Sequence, residues 1–222
     1  MIGPYLDSCA KLNYNFSTTV KKVKSMTNIK ALEELIKTSG GVVTTSLVEE
    51  SNIHREYLGE MVRQGKLEKV AYGVYITPDA WEDKMLIHQL RRKKMIYSHE
   101  TALYLNELTD REPLVYSVTV PFGYNDSRLK KEGLIVHTVK QDLFELGVTT
   151  KKTVFGNNVK VYDAERSICD LIRDRNNQDQ AIIADALKKY VIKKDKDLNK
   201  LLTFAGKFRV KKILTTYLEV LL

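Results

Sequence analysis

Two short runs in the sequence carry residue types that could do chemistry, and the first is Ser98-His99-Glu100. These are the types of a nucleophile, a base and an acid, but neighbours on one helical turn point in different directions and cannot form a catalytic relay by themselves. Ser98 also stands directly before an apolar helical pattern, where its hydroxyl is expected to act as an N-cap. We therefore interpret this run as the start of a helix and not as an active site.

The second run, Asp163-Ala164-Glu165, resembles a fragment of a nuclease metal site. No lysine stands two positions after Glu165, and Arg166, Asp170 and Arg173 have the spacing of ordinary helix ion pairs. The four histidines are not grouped at metal-ligand spacing, and no glycine-rich phosphate loop with a lysine is present. The histidines are His54, His88, His99 and His137. The sequence predicts no catalytic residue, no metal ligand and no cofactor.

Two helices are predicted before residue 53. Apolar residues recur at three- and four-residue steps from Asn28 until Gly40-Gly41 stops the run, which indicates a first helix. Val42-Val43 is interpreted as a short apolar link. Thr45 or Ser46 is then expected to cap a second helix, the latter with Glu49 at capping-box spacing, and this helix ends near Asn52.

A third helix and a hairpin follow. One apolar face runs from about His54 to Gln64, and Gly65 closes this third helix. Apolar residues then alternate from Lys66 to Thr77 around a turn at Tyr72-Gly73, which predicts a two-stranded hairpin. Three helices with a tight turn before the third, followed by a hairpin, are typical of a winged helix-turn-helix, which binds DNA.

The outward face of the third helix holds the candidate base readers, because a recognition helix turns its polar side into the major groove. Arg55 and Arg63 lead this set, since arginine can donate two hydrogen bonds to guanine, and Gly59 would let the backbone approach the groove closely. The start of helix two is expected to hold phosphate through free N–H groups and hydroxyls, and the wing is expected to contact backbone or minor groove. The predicted DNA contacts are Thr44, Thr45, Ser46, Asn52, Arg55, Glu56, Arg63, Lys66, Lys69, Tyr72, Arg91, Arg92, Lys93 and Lys94.

The net charge of +8 is spread unevenly. Residues 26–80 carry six basic against eight acidic residues, whereas residues 188–222 carry ten against three. DNA affinity comes largely from phosphate neutralisation, so we expect the full-length protein to bind DNA far more tightly than the isolated winged helix. The basic C-terminal segment is either a surface for a polyanion or acidic protein, or simply a solvated helical face.

The predicted fold class is mixed α/β, with three parts: an N-terminal extension (1–25), a winged helix-turn-helix domain (26–80) and a larger α/β domain (81–222). In the last part, strands are expected at 115–120, 134–139, 148–154 and 159–162, and about four helical segments run from Ala164 to the end with breaks near Asn176, Asp195 and Gly206. Helices are also expected at about 80–94 and from Ser98.

Composition indicates where such a protein works. The only cysteines, Cys9 and Cys169, are far apart and fit neither a disulfide framework nor a metal site, which favours a reducing compartment. No apolar stretch approaches the roughly 20 residues of a membrane helix, and the N-terminus lacks the apolar region of a signal peptide. We expect a cytoplasmic protein with no membrane partner.

Several runs together resemble the AbiEi family, the antitoxins of bacterial AbiE (type IV) abortive-infection toxin-antitoxin systems. They are Gly65-Lys66-Leu67 through Tyr72-Gly73-Val74-Tyr75, the run from Tyr97 to Leu105, Val118-Thr119-Val120-Pro121, and the run from Val161 to Arg173. The resemblance covers residues from Met26 to about Tyr190, and the segment before Met26 has no counterpart in the family pattern. It implies a winged helix that represses its own operon at inverted repeats, and a C-terminal domain that counteracts a toxin similar to nucleotidyltransferases without necessarily binding it stably.

Two other function classes stay open from the sequence. One is a nucleic-acid-processing enzyme of nuclease type that the winged helix targets to DNA. The other is a protein-interaction module, because winged helices are sometimes reused for protein contacts.

Overall fold

Residues 27–221 are described by a computed structural model, which divides between Glu82 and Asp83 into two units, here called the winged-helix unit and the C-terminal unit. The predicted extension over residues 1–25 lies outside the described residues. None of the helices described has the length and apolar character that crossing a membrane requires.

The winged-helix unit has the predicted order of helices and hairpin. Its elements are α1 (residues 27–38), β1 (Val42–Thr44), α2 (Thr45–Glu50), α3 (Glu56–Arg63), β2 (Glu68–Ala71) and β3 (Val74–Ile76). The one additional element is β1, which the sequence suggested to be a link. It pairs antiparallel with β3, Val42 opposite Ile76, so the sheet has three strands in the order β1-β3-β2.

One apolar core joins the three helices and the sheet. Every element except β2 contributes to it, with buried Leu32, Ile36, Val43, Val48, Ile53, Leu58, Met61 and Leu67, and with Tyr75 of β3 packed against it. Leu58 and Met61 are three residues apart on α3 and therefore lie on the same side of that helix. The opposite side of α3 is left facing outward.

Both predicted starts of the short helices are corrected by the structure. Thr44, and not Thr45 or Ser46, is the N-cap of α2, because its extended backbone lets its Oγ1 accept from the Leu47 N–H at 3.1 Å. Helix α3 begins at Glu56 and not near His54. Asn52 adopts a left-handed backbone (φ 57°) that ends the preceding turn, and helical hydrogen bonding resumes only after the residues that follow it.

The C-terminal unit is mixed α/β, as predicted. Its elements are α4 (Lys84–Arg91), β4 (Ile96–Tyr97), α5 (His99–Leu105), β5 (Ser117–Pro121), α6 (Ser127–Lys131), β6 (Ile135–Val139), α7 (Gln141–Phe144), β7 (Val148–Lys152), β8 (Asn158–Tyr162), α8 (Ala164–Arg173), α9 (Gln180–Ile192), α10 (Leu198–Lys207) and α11 (Lys211–Leu221). The strands form one sheet in the order β6-β5-β4-β8-β7, with β5–β6 and β4–β8 parallel and the other pairs antiparallel. The central strand β4 and the short helices α6 and α7 were not predicted.

Two apolar clusters hold this unit together. The larger joins α5 to the four C-terminal helices, with buried Ile168, Leu187, Leu201 and Leu214 among its members. The other lies on the sheet, where Tyr97, Val118 and Val161 are fully buried. The helical period that the sequence shows after residue 163 therefore comes from packing around one shared core.

Ser98 occupies the predicted N-cap position of α5, but its hydroxyl does not cap the helix. Its Oγ instead accepts a hydrogen bond from Thr119 Oγ1 at 2.8 Å and lies 3.0 Å from His99 Nδ1. The serine backbone is extended (φ −146°), and His99 takes a left-handed φ of 49°. The Ser98 hydroxyl is thus used for a buried polar contact.

The Asp163 run is held by ion pairs. Asp163 caps α8 by accepting from the Arg166 N–H at 2.8 Å, as its place before the helix allows. A lysine that is distant in sequence, Lys200 of α10, reaches Asp163 Oδ2 at 2.9 Å and Glu165 Oε2 at 3.4 Å. Glu165 also accepts from Tyr190 Oη at 3.0 Å. Both carboxylates are therefore engaged by the chain itself.

The histidines are grouped in space, although they are not grouped in sequence. The rings of His99 and His137 stack with centroids 3.5 Å apart and planes 15° from parallel. Burial lowers the pKa of both imidazoles to about 4. Sequence spacing does not indicate this pair, because α5 and β6 bring together residues 38 positions apart.

Candidate nucleic-acid interface

The outward side of α3 presents a row of three residues spaced four apart. Arg55, Gly59 and Arg63 are all exposed, whereas Leu58 and Met61 between them are buried. Residues at steps of four lie one above the other on a helix, so the row is continuous. Arg55 is the N-cap residue and Arg63 the last residue of α3, which places one cation at each end.

Gly59 lies inside a helix although no described residue packs against it, and Gly206 of α10 has the same open surroundings. A Cβ added at Gly59 would meet no atom within 4 Å, and its φ is not in the left-handed region. A glycine inside a helix costs about 0.5–1 kcal/mol relative to alanine. Packing among the described residues therefore does not account for this glycine.

The two arginines of the row differ in their surroundings. Arg63 is paired through Nη2 with Oε2 of Glu60, one turn earlier on α3. This hydrogen bond, and a second one that Gln64 Nε2 donates to the same carboxylate at 2.8 Å, hold the pKa of Glu60 below its usual value. Among the described residues, Arg55 has no recorded side-chain partner, so its guanidinium is available without breaking an ion pair.

The other predicted readers flank the start of α3. Asn52 is exposed in the left-handed turn between α2 and α3, outside both helices. Glu56 is exposed in the first turn of α3, where its side chain lies 3.6 Å from His54 Nδ1. Its negative charge would oppose DNA phosphates, and the base contact open to it would be to accept a hydrogen bond from cytosine.

The wing carries a cation and an aromatic ring at its tip. Tyr72 is 87% exposed, and Lys69 Nζ lies 5.8 Å from the centre of the Tyr72 ring. Lys66, at the base of the wing, is instead tied to Glu33 of α1 through a 2.7 Å contact, which lowers the pKa of that carboxyl. Lys69 and Tyr72 are therefore the wing residues best presented to a partner.

The wing tip is joined to the start of α2. Thr45 donates its backbone N–H to the carbonyl of Gly73 at 2.9 Å, and a Cβ at Gly73 would lie 3.3 Å from Thr45 Oγ1. The structure thus brings Thr44, Thr45 and the wing turn together. The expectation of free N–H groups here is wrong for Thr45 and Leu47, whose N–H groups bond to Gly73 and Thr44 within the chain.

The predicted basic run at 91–94 lies in the C-terminal unit, at the end of α4. Arg91 and Arg92 both pair with Glu132 Oε1, at 3.0 Å and 2.8 Å, and are partly buried. Lys93 and Lys94 are exposed. Much of the charge of this run is therefore balanced inside the unit, which the sequence did not indicate.

Two acidic residues of the interface were not predicted: Glu60 and Glu33, the counter-ions of Arg63 and Lys66. The Glu60 pair could be found from sequence, because Glu and Arg at i and i+3 on one helix are neighbours. The Glu33 pair joins α1 to the wing across 33 positions, and no local pattern indicates it.

Comparison with known proteins supports this description. Residues 30–78 match a family described as "Transcriptional regulator, AbiEi antitoxin", and this range includes α2, α3 and the wing. The crystal structure of the RV2827C protein from Mycobacterium tuberculosis is similar in fold, with a TM-score of 0.53 and 14% identity over 79% of this chain and 70% of that chain. Among curated proteins, none matches this sequence.

At 14% identity, the likeness to the mycobacterial protein concerns the fold alone. The family match, by contrast, covers the residues whose order and exposure describe a helix-turn-helix with a wing. It thus supports the family that the sequence motifs indicated, and residues 30–78 are the part of the chain that matches an AbiEi-family transcriptional regulator.

Proposed function

We propose that this protein is the antitoxin and transcriptional autorepressor of a type IV toxin-antitoxin operon, which binds inverted repeats in its own promoter and acts in the bacterial cytoplasm. One observation carries the DNA-binding part: the exposed Arg55-Gly59-Arg63 row on α3, whose glycine no described residue packs against, lies inside a segment that matches AbiEi regulators.

In this proposal α3 enters the major groove with that row facing the bases. Arg55 and Arg63 donate paired hydrogen bonds to guanine, and Gly59 allows the helix backbone to come close to the groove. Arg63 must exchange its contact with Glu60 for one with DNA. Arg55 therefore contributes more per residue, because no pair in the described chain has to be broken first.

The wing and the start of α2 hold the phosphate backbone. Lys69 and Tyr72 at the wing tip reach backbone or minor groove, while the Thr45 and Ser46 hydroxyls approach phosphate beside them. These contacts set the position of α3 and carry no sequence information themselves.

Charge limits what the winged-helix unit can do alone. Its predicted domain, residues 26–80, has two more acidic than basic residues, and Arg63 and Lys66 are already paired. Additional phosphate neutralisation must come from cationic side chains elsewhere, and residues 188–222 supply ten basic residues against three acidic ones. The full-length protein is therefore expected to bind more tightly than the isolated unit at matched salt.

The C-terminal unit is proposed to counteract a nucleotidyltransferase-like toxin, with or without a stable complex. The support is the family description, which names an antitoxin, and the separate core and sheet of this unit, which make it a second functional part. The carboxylates of the Asp163 run are held by Lys200 and by the start of α8, which does not favour the alternative of a nuclease.

The proposal is tested by a gel shift of the full-length protein on the DNA upstream of its own gene, with scrambled DNA of equal length as the control and a Mg²⁺-supplemented cleavage reaction alongside. Specific retardation without cutting is expected. Cutting would support the nuclease alternative, and no retardation at low salt would contradict DNA binding. Co-expression with the adjacent gene product tests the antitoxin part, because growth should be restored only when this protein is present.

A further inference from the structure

The stacked histidines belong to a small cavity of the C-terminal unit that the proposed function does not use. The cavity has a volume of about 150 Å³ and is lined by His99, His137, Thr138, Val139, Asp170, Arg173 and Asp174. One ligand atom each from His99, His137 and Asp174 lie within 4.8 Å of one another, which makes this the one such group of three among the residues described.

Three different elements bring these side chains together. His99 begins α5, His137 lies in the middle of β6, and Asp174 is the C-cap residue of α8. His137 is the register partner of Thr119 on the neighbouring parallel strand β5. His99 takes a left-handed φ of 49°, which is unfavourable for a residue with a side chain and therefore reflects a conformation that the surroundings impose.

His99 is oriented by a buried chain of hydroxyl groups. Thr119 Oγ1 donates to Ser98 Oγ at 2.8 Å, and Ser98 Oγ lies 3.0 Å from His99 Nδ1. In the tautomer in which Nδ1 carries the proton and donates it to the serine, Nε2 has the lone pair for a further ligand. Metal-binding histidines commonly have their other ring nitrogen fixed by such a hydrogen bond.

Asp174 is fixed in a comparable way. Asn177 Nδ2 donates to its Oδ1 at 2.7 Å, and Gln178 Nε2 donates to its Oδ2 at 2.8 Å. Each carboxylate oxygen has a second lone pair, so these bonds orient the group and leave it able to bind an ion.

We propose that His99, His137 and Asp174 bind a divalent transition-metal ion of the zinc class. Imidazole nitrogens suit Zn²⁺ and its neighbours, whereas Mg²⁺ and Ca²⁺ are bound by oxygen ligands, which are too few here. Two imidazoles and one carboxylate make three protein ligands and leave a position open toward the cavity.

Ion binding requires a small rearrangement of the two rings. They are 15° from parallel, and ligand atoms around one tetrahedral Zn²⁺ lie about 3.3 Å apart when each bond is about 2.0 Å. The imidazoles must therefore tilt until their lone pairs meet at one point. The cavity gives them room to do so.

The remaining charged groups of the cavity define what surrounds the ion. Asp170 is bonded to Arg166 Nε at 2.9 Å and is not a fourth ligand. The Arg173 guanidinium lines the same cavity and adds positive charge, so the open position favours an anionic or hydroxide ligand over a neutral one.

The test uses full-length protein without a polyhistidine tag, stripped with EDTA and titrated with Co²⁺, whose visible absorption reports its ligands. Binding of one ion per chain is expected, with a rise in Tm when Zn²⁺ is added. Losing an outer-shell partner typically lowers metal affinity by about 10- to 100-fold. His137→Gln and Asp174→Asn each remove a direct ligand, so each should lower the affinity for the ion by more than that. His54→Gln, at an exposed histidine of the winged-helix unit, is the matched control and should bind as the unchanged protein does.

The proposal is overturned if the unchanged protein shows neither Co²⁺ bands nor a Zn²⁺-dependent Tm, in which case the histidine stack is a packing contact only. It is also overturned if both variants bind as well as the His54→Gln control. Circular dichroism of each metal-free variant checks that it is folded. Copper EPR of the unchanged protein, which should show two coordinated imidazole nitrogens, keeps the test decisive even if a variant does not fold.

Discussion

Arg166 Nε donates to Asp170 Oδ2 at 2.9 Å, and both side chains are removed from solvent. The same guanidinium donates through Nη1 to the carbonyls of Leu143 and Leu146, at 2.6 Å and 2.8 Å. It also lies over two aromatic rings, with Cζ 3.9 Å from the ring centroid of Tyr162 and 4.2 Å from that of Phe208. One arginine therefore connects α8 to α7, β8 and the end of α10.

Replacing Arg166 with Met should destabilise the protein by about 3–5 kcal/mol, because Asp170 would be left as an unpaired buried charge. Urea unfolding measures the loss. Arg128→Met, at an exposed position of α6, is the control and should change stability by less than about 0.5 kcal/mol. A loss below about 1 kcal/mol for the Arg166 variant would show that the ion pair has little structural importance.

Gly59→Ala should separate stability from DNA binding. The added methyl group would meet no described atom within 4 Å, so the alanine should stabilise α3 by about 0.5–1 kcal/mol while weakening operator binding. Gly206→Ala is the matched control, since that glycine is also within a helix and also has open space around it. It should raise Tm without affecting DNA binding. Unchanged operator affinity for Gly59→Ala would argue against a close approach of α3 to DNA.

Arg55→Glu and Arg63→Glu should each abolish specific retardation of the promoter fragment, since both remove a base contact and add a repelling charge. The corresponding alanine variants should each cost about 1–3 kcal/mol of binding and relax specificity at one base position. Lys37→Glu, on the exposed side of α1, controls for the change in net charge. Promoter occupancy that survives reversal of both arginines would exclude this face as the reader.

Glu60→Gln should strengthen DNA binding, in contrast to the arginine variants, which should weaken it. It removes the carboxylate that holds Arg63 and one negative charge from the face proposed to approach phosphate. Operator affinity should therefore rise, and the rise should be smaller when Arg63 is already alanine, because only the loss of negative charge then contributes. Fluorescence anisotropy on single and double variants measures this coupling. An equal gain in both backgrounds would assign the effect to net charge alone.

Lys69→Ala on the wing should weaken binding to specific and scrambled DNA by similar factors and reduce the slope of log K against log salt by about 1. Lys66→Ala should have a smaller effect, because Lys66 is held by Glu33 in the free protein. Titrations at several salt concentrations measure both slopes. A loss confined to the specific site would mean that Lys69 reads sequence.

Local patterns were sufficient for most of the fold. The apolar periods around Leu32, Leu58 and Ile168 predicted their helices, and alternation predicted the wing and four of the sheet strands. The strand β4 was missed because Ile96–Tyr97 is only two residues long, and two residues cannot show an alternating pattern. What makes them a strand is pairing with β5 and β8, which are distant in sequence.

The candidate sites show the same limit. The Arg55-Gly59-Arg63 row follows from helical spacing alone, so it could be predicted. The approach of Lys200 to Asp163, and of His137 to His99, depends on how separate elements pack, and each pair is more than 30 positions apart. Two helix starts were misplaced for a related reason. The left-handed backbone of Asn52 and the capping hydroxyl of Thr44 are properties of single residues, and a periodic apolar pattern does not report them.

The bond from Thr45 N–H to the Gly73 carbonyl has a consequence for the speed of recognition. A mobile hairpin tip would lose conformational entropy on binding DNA. The wing tip of this protein is already hydrogen-bonded to the start of α2, and its hairpin pairs with a third strand, β1. The wing and the start of α2 are thus preorganised. If this surface binds an operator as proposed, we expect binding to resemble rigid docking in a single step.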